Sequence, residues 1–179
     1  MRDTNAEQMT AWLSDQVNGF EGLAGCVVES WRGVEMAVRE HAADGPQFSD
    51  PDVPCLQLVQ LEATLDGADR RTIDAYQNDA YFGLHLAAST DRHAQQWAGI
   101  YRESELSLPI GRINAATVRF EEGVLAEVTL SIGPVTVLLM AAEVDELDSG
   151  SLAWHRFDES VLVFPDPADA DKIDWTPSR

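Results

Sequence analysis

Four histidines, two cysteines and thirty-one acidic side chains, together with the serine hydroxyls, are the first groups to weigh for moving protons, attacking carbonyl carbons or ligating metals. Their spacing follows none of the patterns that such chemistry uses. There is no Walker loop, no GxGxxG, no HExxH and no GxSxG. His41, His85, His93 and His155 share no ligand spacing, and His155 has Asp158-Glu159 three residues on as a potential carboxylate partner. Asp166, Asp169, Asp171 and Asp174 have the look of a calcium loop, but the segment lacks the glycine and the distal glutamate of an EF-hand. Cys26 and Cys55 sit in apolar runs without zinc-ligand spacing or a histidine nearby in sequence, so each reads as a small buried hydrophobe. A disulfide between them is the lesser expectation. No serine sits on a strand–turn–helix elbow. The pattern therefore assigns no catalytic residue, no metal ligand and no cofactor, and it leans away from an enzyme.

Two segments carry the chemistry of binding instead. In Tyr76-Gln77-Asn78-Asp79-Ala80-Tyr81, two phenols bracket a pair of residues whose side chains bond readily to their own backbone. Turn formation by Asn78 and Asp79 accounts for this segment. The functional alternative is a recognition loop in which Tyr76 and Tyr81 supply rigid contact area. The second segment is acidic: residues 143 to 174 hold ten carboxylates against two cations. Glu143, Asp145, Glu146 and Asp148 follow one another closely, with Asp158 and Glu159 further on. A solvated loop is the ordinary fate of such a run. If the carboxylates converge with Glu121 and Glu122, they form a patch able to steer a basic partner.

The whole chain leans the same way. Twelve cations against thirty-one acids give a net charge of −19, and Lys172 is the sole lysine. That field repels nucleic-acid phosphates and anionic membrane surfaces, which leaves a basic protein face or a divalent metal as the favoured partner. Solubility alone also explains an acidic surface. The N-terminus lacks the apolar stretch of a signal peptide, and the longest apolar run, Val137 to Ala142, is too short to span a bilayer. Cytoplasmic residence is the default expectation. The preference for arginine, alanine and aspartate suggests a bacterial source.

The elements that must position these groups are mostly strands. At 179 residues, one globular domain is expected over 1–179. Thr4 and Glu7 have capping-box spacing, and Trp12, Leu13, Gln16, Val17 and Phe20 recur at helical intervals before Asn18-Gly19 stops the helix. Residues 26–38 read as strand over helix, and the proline-rich stretch 42–54 as loop. Leu56 to Leu65 alternates, but its apolar positions change parity, which predicts a bulge near Leu58–Val59. Asp66-Gly67 turns the chain into Thr72–Gln77, and Phe82 to Leu86 follows as another strand. Ser89-Thr90-Asp91 has the chemistry to cap a short helix running through Trp97 and Tyr101. Ala116–Phe120, Val124–Ile132 and Val135–Val144 form a three-stranded meander with turns at Glu122-Gly123 and Gly133-Pro134, the last strand apolar on both faces. Trp154–Phe157 and Val161–Phe164 are two further strands, and 165–179 reads as an irregular tail that Trp175 pins. The fold class expected is α+β, mainly antiparallel: a twisted sheet or half-open barrel of about seven or eight strands with the N-terminal helix packed on it.

Three functional classes fit. The first is a non-catalytic binding protein that sets its anionic surface against a basic protein, as an immunity or inhibitor protein does; this is analogy of charge and size only. The residues assigned to it are Tyr76, Asn78, Asp79, Tyr81, Glu143, Asp145, Glu146 and Asp148. The alternative is a small-molecule binder or enzyme with a pocket inside the curved sheet, lined by aromatics such as Trp31, Tyr81, Trp97, Tyr101 and Trp154. The third is a scaffold whose meander edge pairs with a second copy. Oligomeric state is not written in the sequence.

Overall fold

The computed structural model describes residues 2–89 and 96–179, with side chains from Glu7 onward. In chain order the elements are α1 (Arg2–Glu21), β1 (Val27–Met36), β2 (Leu56–Leu65), β3 (Asp69–Asn78), β4 (Tyr81–Ala88), β5 (Tyr101–Glu105), β6 (Gly111–Glu121), β7 (Val124–Ile132), β8 (Val135–Glu146), β9 (Leu152–Phe164), α2 (Pro167–Ala170) and β10 (Trp175–Thr176). The strands form one sheet of ten, ordered β10-β9-β8-β7-β6-β1-β2-β3-β4, with β5 on the free edge of β1. All pairings are antiparallel except β10 with β9. Leu56–Leu58 also pair with Val161–Val163. That contact joins the ends of the meander to β2 and closes the sheet into a partial ring, from which β3 and β4 continue.

The expected antiparallel sheet with a helix on it is what the chain forms, with more strands than anticipated because β5 and β10 are too short to leave a pattern in sequence. Residues 27–36 are strand, as the alternation indicates. The parity change in β2 is a bulge: Val34 faces Gln60 while Glu35 faces Leu58, leaving Val59 unpaired. The meander β6–β7–β8 runs as expected. So does the double burial of β8: Val137, Leu139 and Ala141 enter the main core, while Leu138, Met140, Ala142 and Val144 enter a second cluster on the opposite face. Residues 38–55 and the C-terminal segment cover that second cluster through Val38, Val53, Cys55, Ala170 and Trp175.

Several expectations need correction. Helix α1 begins at Arg2, before Thr4, and passes Asn18-Gly19 to end at Glu21; Phe20 is fully buried in the main core, and that burial outweighs the local stop signal. Residues 90–95, where a helix was expected to start, lie outside the described residues, and Tyr101 opens β5 rather than closing a helix. Alternation along β7 would place Val124 and Ala126 on the same face as Val128, Leu130 and Ile132, but a bulge at Ala126 between the Arg119–Glu127 and Phe120–Leu125 pairs puts Leu125, Val128 and Leu130 in the main core and turns Val124 and Ala126 away from it. The two strands foreseen over 154–164 are one strand, β9, widened at Phe157–Ser160. The tail is more ordered than foreseen. Asp166 accepts from Ala168 N–H (3.0 Å) to cap α2, and the buried Trp175 donates its indole N–H to Ala170 O at 2.8 Å.

Candidate functional site

Two hairpin ends and the widened part of β9 meet at one rim of the ring. The β3–β4 turn holds Asp79 in the left-handed region (φ 52°), and the β6–β7 turn holds Glu122 there too (φ 52°) ahead of Gly123. Such conformations suit two-residue hairpin turns. Asn78 Nδ2 donates to Gly123 O (3.3 Å), so the two turns are tied side by side. In β9, Arg156 pairs with Ala142 and Val161 with Ala141, so the intervening residues 157–160 bulge from the sheet. Phe157 adopts φ 59° there, an unusual position for a bulky side chain. Its ring packs edge-on against Tyr81, with centroids 5.5 Å apart.

The bulge also closes over Glu143. The buried Ser160 hydroxyl donates to Glu143 Oε2 at 2.9 Å. Burial pushes the Glu143 carboxyl up to about 7; the Ser160 bond opposes this, and the charges of Asp145, Asp158 and Glu159 reinforce it. Asp145 lies 3.5 Å from His155 Nε2, so the carboxylate that His155 meets is a cross-strand neighbour and not Asp158 or Glu159. Tyr81 and Phe120, both near the rim, are 37% and 45% exposed.

The structure thus brings together some of the residues singled out in sequence and separates others. Asn78, Asp79, Tyr81, Glu143 and Asp145 share the rim. Tyr76 lies beneath it: its hydroxyl accepts from Leu125 N–H (3.2 Å) and its ring meets Trp12 edge-on at 4.6 Å, so it bridges β3, β7 and α1. Glu146 points to the opposite face of β8, as strand alternation requires. There it accepts from Glu40 and His41 N–H (2.8 and 3.0 Å), and these bonds hold its carboxyl below the usual range. Asp148 is exposed in the β8–β9 turn. Glu121 does not join the rim acids. It grips the buried Arg156 at 2.5 Å, which lies 3.8 Å from the buried Glu127, itself bound by Arg179 at 2.9 Å. Sequence reading missed Phe157 and Ser160; the only signal was the polar Asp158-Glu159-Ser160 interruption between two apolar runs.

Ion pairing leaves carboxylates unpaired at the rim and elsewhere, Asp52 and Asp174 among them; only the rim sets them beside the Tyr81–Phe157 ring pair. From Glu7 onward every described cation except Arg112 is in an ion pair, and Arg112 donates to Gly25 O. Among the described residues Asp79, Glu122, Glu143, Asp158 and Glu159 have no such partner. Arg39, Arg102, Arg156 and Arg179 are among the arginines that neutralise carboxylates of other segments.

A separate open cleft of about 640 Å³ lies outside the ring, between the 51–54 loop and the C-terminal segment. Asp52, Trp154, Lys172, Ile173 and Asp174 are among its lining residues. Among the described residues Trp31 packs into the main core and does not line a pocket. Trp154 lines the outer cleft instead. Both cysteines are free, and burial raises both thiols, that of Cys55 most, which keeps them protonated. Among the described residues no group of three or more histidine, cysteine or acidic side chains is placed to hold a metal. No helix among them is long and apolar enough to cross a membrane.

No protein-family model matches this chain, and neither the curated proteins nor the solved structures contain a match to it. The reading of its function therefore rests on the geometry above.

Proposed function

We propose that the chain is a binding protein whose rim, formed by Asp79, Tyr81, Glu122, Glu143, Asp145, Asp158 and Glu159, takes a basic protein partner. The observation that carries this reading is the meeting of the unpaired Asp79, Glu122, Asp158 and Glu159 carboxylates, from three separate stretches, around two partly exposed aromatic rings. Anionic groups without internal partners gain most from an incoming guanidinium or ammonium group, because no existing ion pair has to break. Tyr81 and Phe120 supply apolar area of the kind that anchors an interface. Long-range attraction from the net −19 charge speeds encounter, and the rim fixes where the partner settles.

The test compares two sets of substitutions that change net charge equally. One removes rim charge (Asp79→Asn, Glu122→Gln, Asp158→Asn, Glu159→Gln); the other removes exposed charge elsewhere (Glu7→Gln, Asp15→Asn, Asp44→Asn, Asp148→Asn). Binding of fluorescent arginine- and lysine-rich peptides is followed by anisotropy over a range of salt. The rim set should weaken binding about tenfold or more and flatten its salt dependence, with the other set changing it by about twofold at most. Equal losses from the two sets would mean that net charge alone attracts the peptides, and the rim reading would fail.

A further inference from the structure

We infer that the cleft between the 51–54 loop and the C-terminal segment is a second, independent binding site, built for an alkylammonium or alkylguanidinium group. Its volume, about 640 Å³, lies within the range of small-ligand sites. Its walls supply both halves of an aliphatic cation's needs. Pro51, Pro54, Leu152, Trp154 and Ile173 offer apolar surface for the alkyl stem, and an indole is the best aromatic partner for the charged end. Asp52, Asp169 and Asp174 offer carboxylates.

The charge balance decides the sign of the ligand. Lys172 is the lone cation of the lining, and its ammonium is spent on Asp169 at 2.7 Å. Asp52 and Asp174 have no ion pair among the described residues, so the cleft keeps an uncompensated negative field. An anionic ligand would have to displace the Lys172–Asp169 pair and face two further carboxylates; a cation meets no such obstacle. The walls are held in place before any ligand arrives. β10 pairs in parallel with β9 at Trp175–Trp154 and Thr176–His155, and the two indoles pack edge-on at 5.6 Å. The Trp175 indole is anchored in turn to Ala170 O.

The cation has two sources, a free amine or the side chain of a basic peptide, and the experiment separates them. Titrations are followed by the ¹H–¹⁵N indole signals of the full chain, with the Trp154 signal assigned by its loss in Trp154→Phe. Agmatine, spermidine, an acetylated lysine- and arginine-containing peptide and uncharged 1,6-hexanediol are added in turn. The Trp154 signal should move with the cationic ligands, with Kd below about 1 mM, and stay still with the diol. Asp52→Asn with Asp174→Asn, both on exposed side chains, should weaken the shift about tenfold at unchanged melting temperature. Saturation by the free amines identifies a small-molecule site, and saturation by the peptide alone a peptide site. The rim-neutralised chain should keep the full Trp154 response, so failure at the rim and failure at the cleft are told apart. An unmoved Trp154 signal, an equal response to the diol, or undiminished binding by the Asp52/Asp174 variant would overturn the inference.

Discussion

Ser160 reaches Glu143 from within the widened part of β9, donating its hydroxyl to a carboxyl that the bulge has partly removed from water. The folded chain therefore holds this proton up to about pH 7, whereas the unfolded chain releases it near the ordinary value of 4.5. A group whose pKa rises on folding contributes stability below its unfolded pKa and loses it as pH climbs through the folded one. Glu143→Gln keeps an oxygen for Ser160 and removes the titration. The variant should match the parent near pH 5 and exceed it by roughly 1–2 kcal/mol at pH 8, a figure discounted for partial exposure. Urea midpoints at several pH values check this. Parallel pH profiles for parent and variant would show that Glu143 is already ionised at neutral pH.

Arg156 holds the opposite face of the same strand. Its guanidinium is 1% exposed; it binds Glu121 and donates to Ser178 O at 2.7 Å, with Glu127 close by. Truncating it takes the nearest cation from Glu121 and the donor from Ser178 O, with Arg119 and Arg179 still in reach of the two carboxylates, so Arg156→Ala should cost about 3 kcal/mol. Arg156→Met with Glu121→Gln removes both partners of the closest pair, leaves Glu127 with Arg179, and should recover part of the loss. Chemical denaturation of the two variants decides between a needed charge network and one that good apolar packing replaces. A loss under about 1 kcal/mol for Arg156→Ala would mean that solvent reaches the site.

How far the residues announce this architecture depends on the range of the interaction that sets each feature. The double burial of β8 is legible because both faces are written in consecutive residues, Val137 to Ala142. The bulge at Val59 is legible as a parity change within one strand. The rim is half legible: Asn78-Asp79 and Glu122-Gly123 declare themselves as turns, but nothing local says that Asn78 will reach Gly123. The swing of Val124 and Ala126 away from the main core follows from a bulge whose only sequence trace is one extra apolar residue. Glu146 shows the limit most plainly. It sits in the same acidic run as Glu143 and Asp145, yet strand alternation sends it to the far face, where the amides of Glu40 and His41 wait.

Gly83 marks where the β3–β4 hairpin leans on β7. A Cβ added there would lie 2.7 Å from Tyr76 Cε1 and 2.9 Å from Val124 Cβ, closer than side chains tolerate. Tyr76 is itself fixed by its bond to Leu125 N–H and its contact with Trp12, so it has little room to yield. Gly83→Ala should destabilise by roughly 1–3 kcal/mol, and Gly83→Val by more. Thermal melts give the ranking. If Gly83→Ala leaves the melting temperature unchanged, the hairpin is packed more loosely against β7 than these distances require.

Glu122 sets stability against the proposed role of the rim. Its backbone lies at φ 52° in the β6–β7 turn, a conformation that costs an ordinary side chain roughly 1 kcal/mol and that asparagine or glycine adopts more readily. Nothing in the interior repays this cost, since among the described residues Glu122 has no ion pair and its carboxylate faces outward with the rest of the rim. Glu122→Asn should therefore raise stability by about 0.5–1 kcal/mol while removing a rim charge. If the rim takes a basic partner, the same variant should bind a cationic peptide more weakly than the parent, giving the opposed changes expected where a residue is kept for function at the expense of the fold. Denaturation and peptide anisotropy on the one variant settle both halves. Greater stability with undiminished binding would place the contact elsewhere on the rim, and no gain in stability would mean that the turn carries no strain at this position.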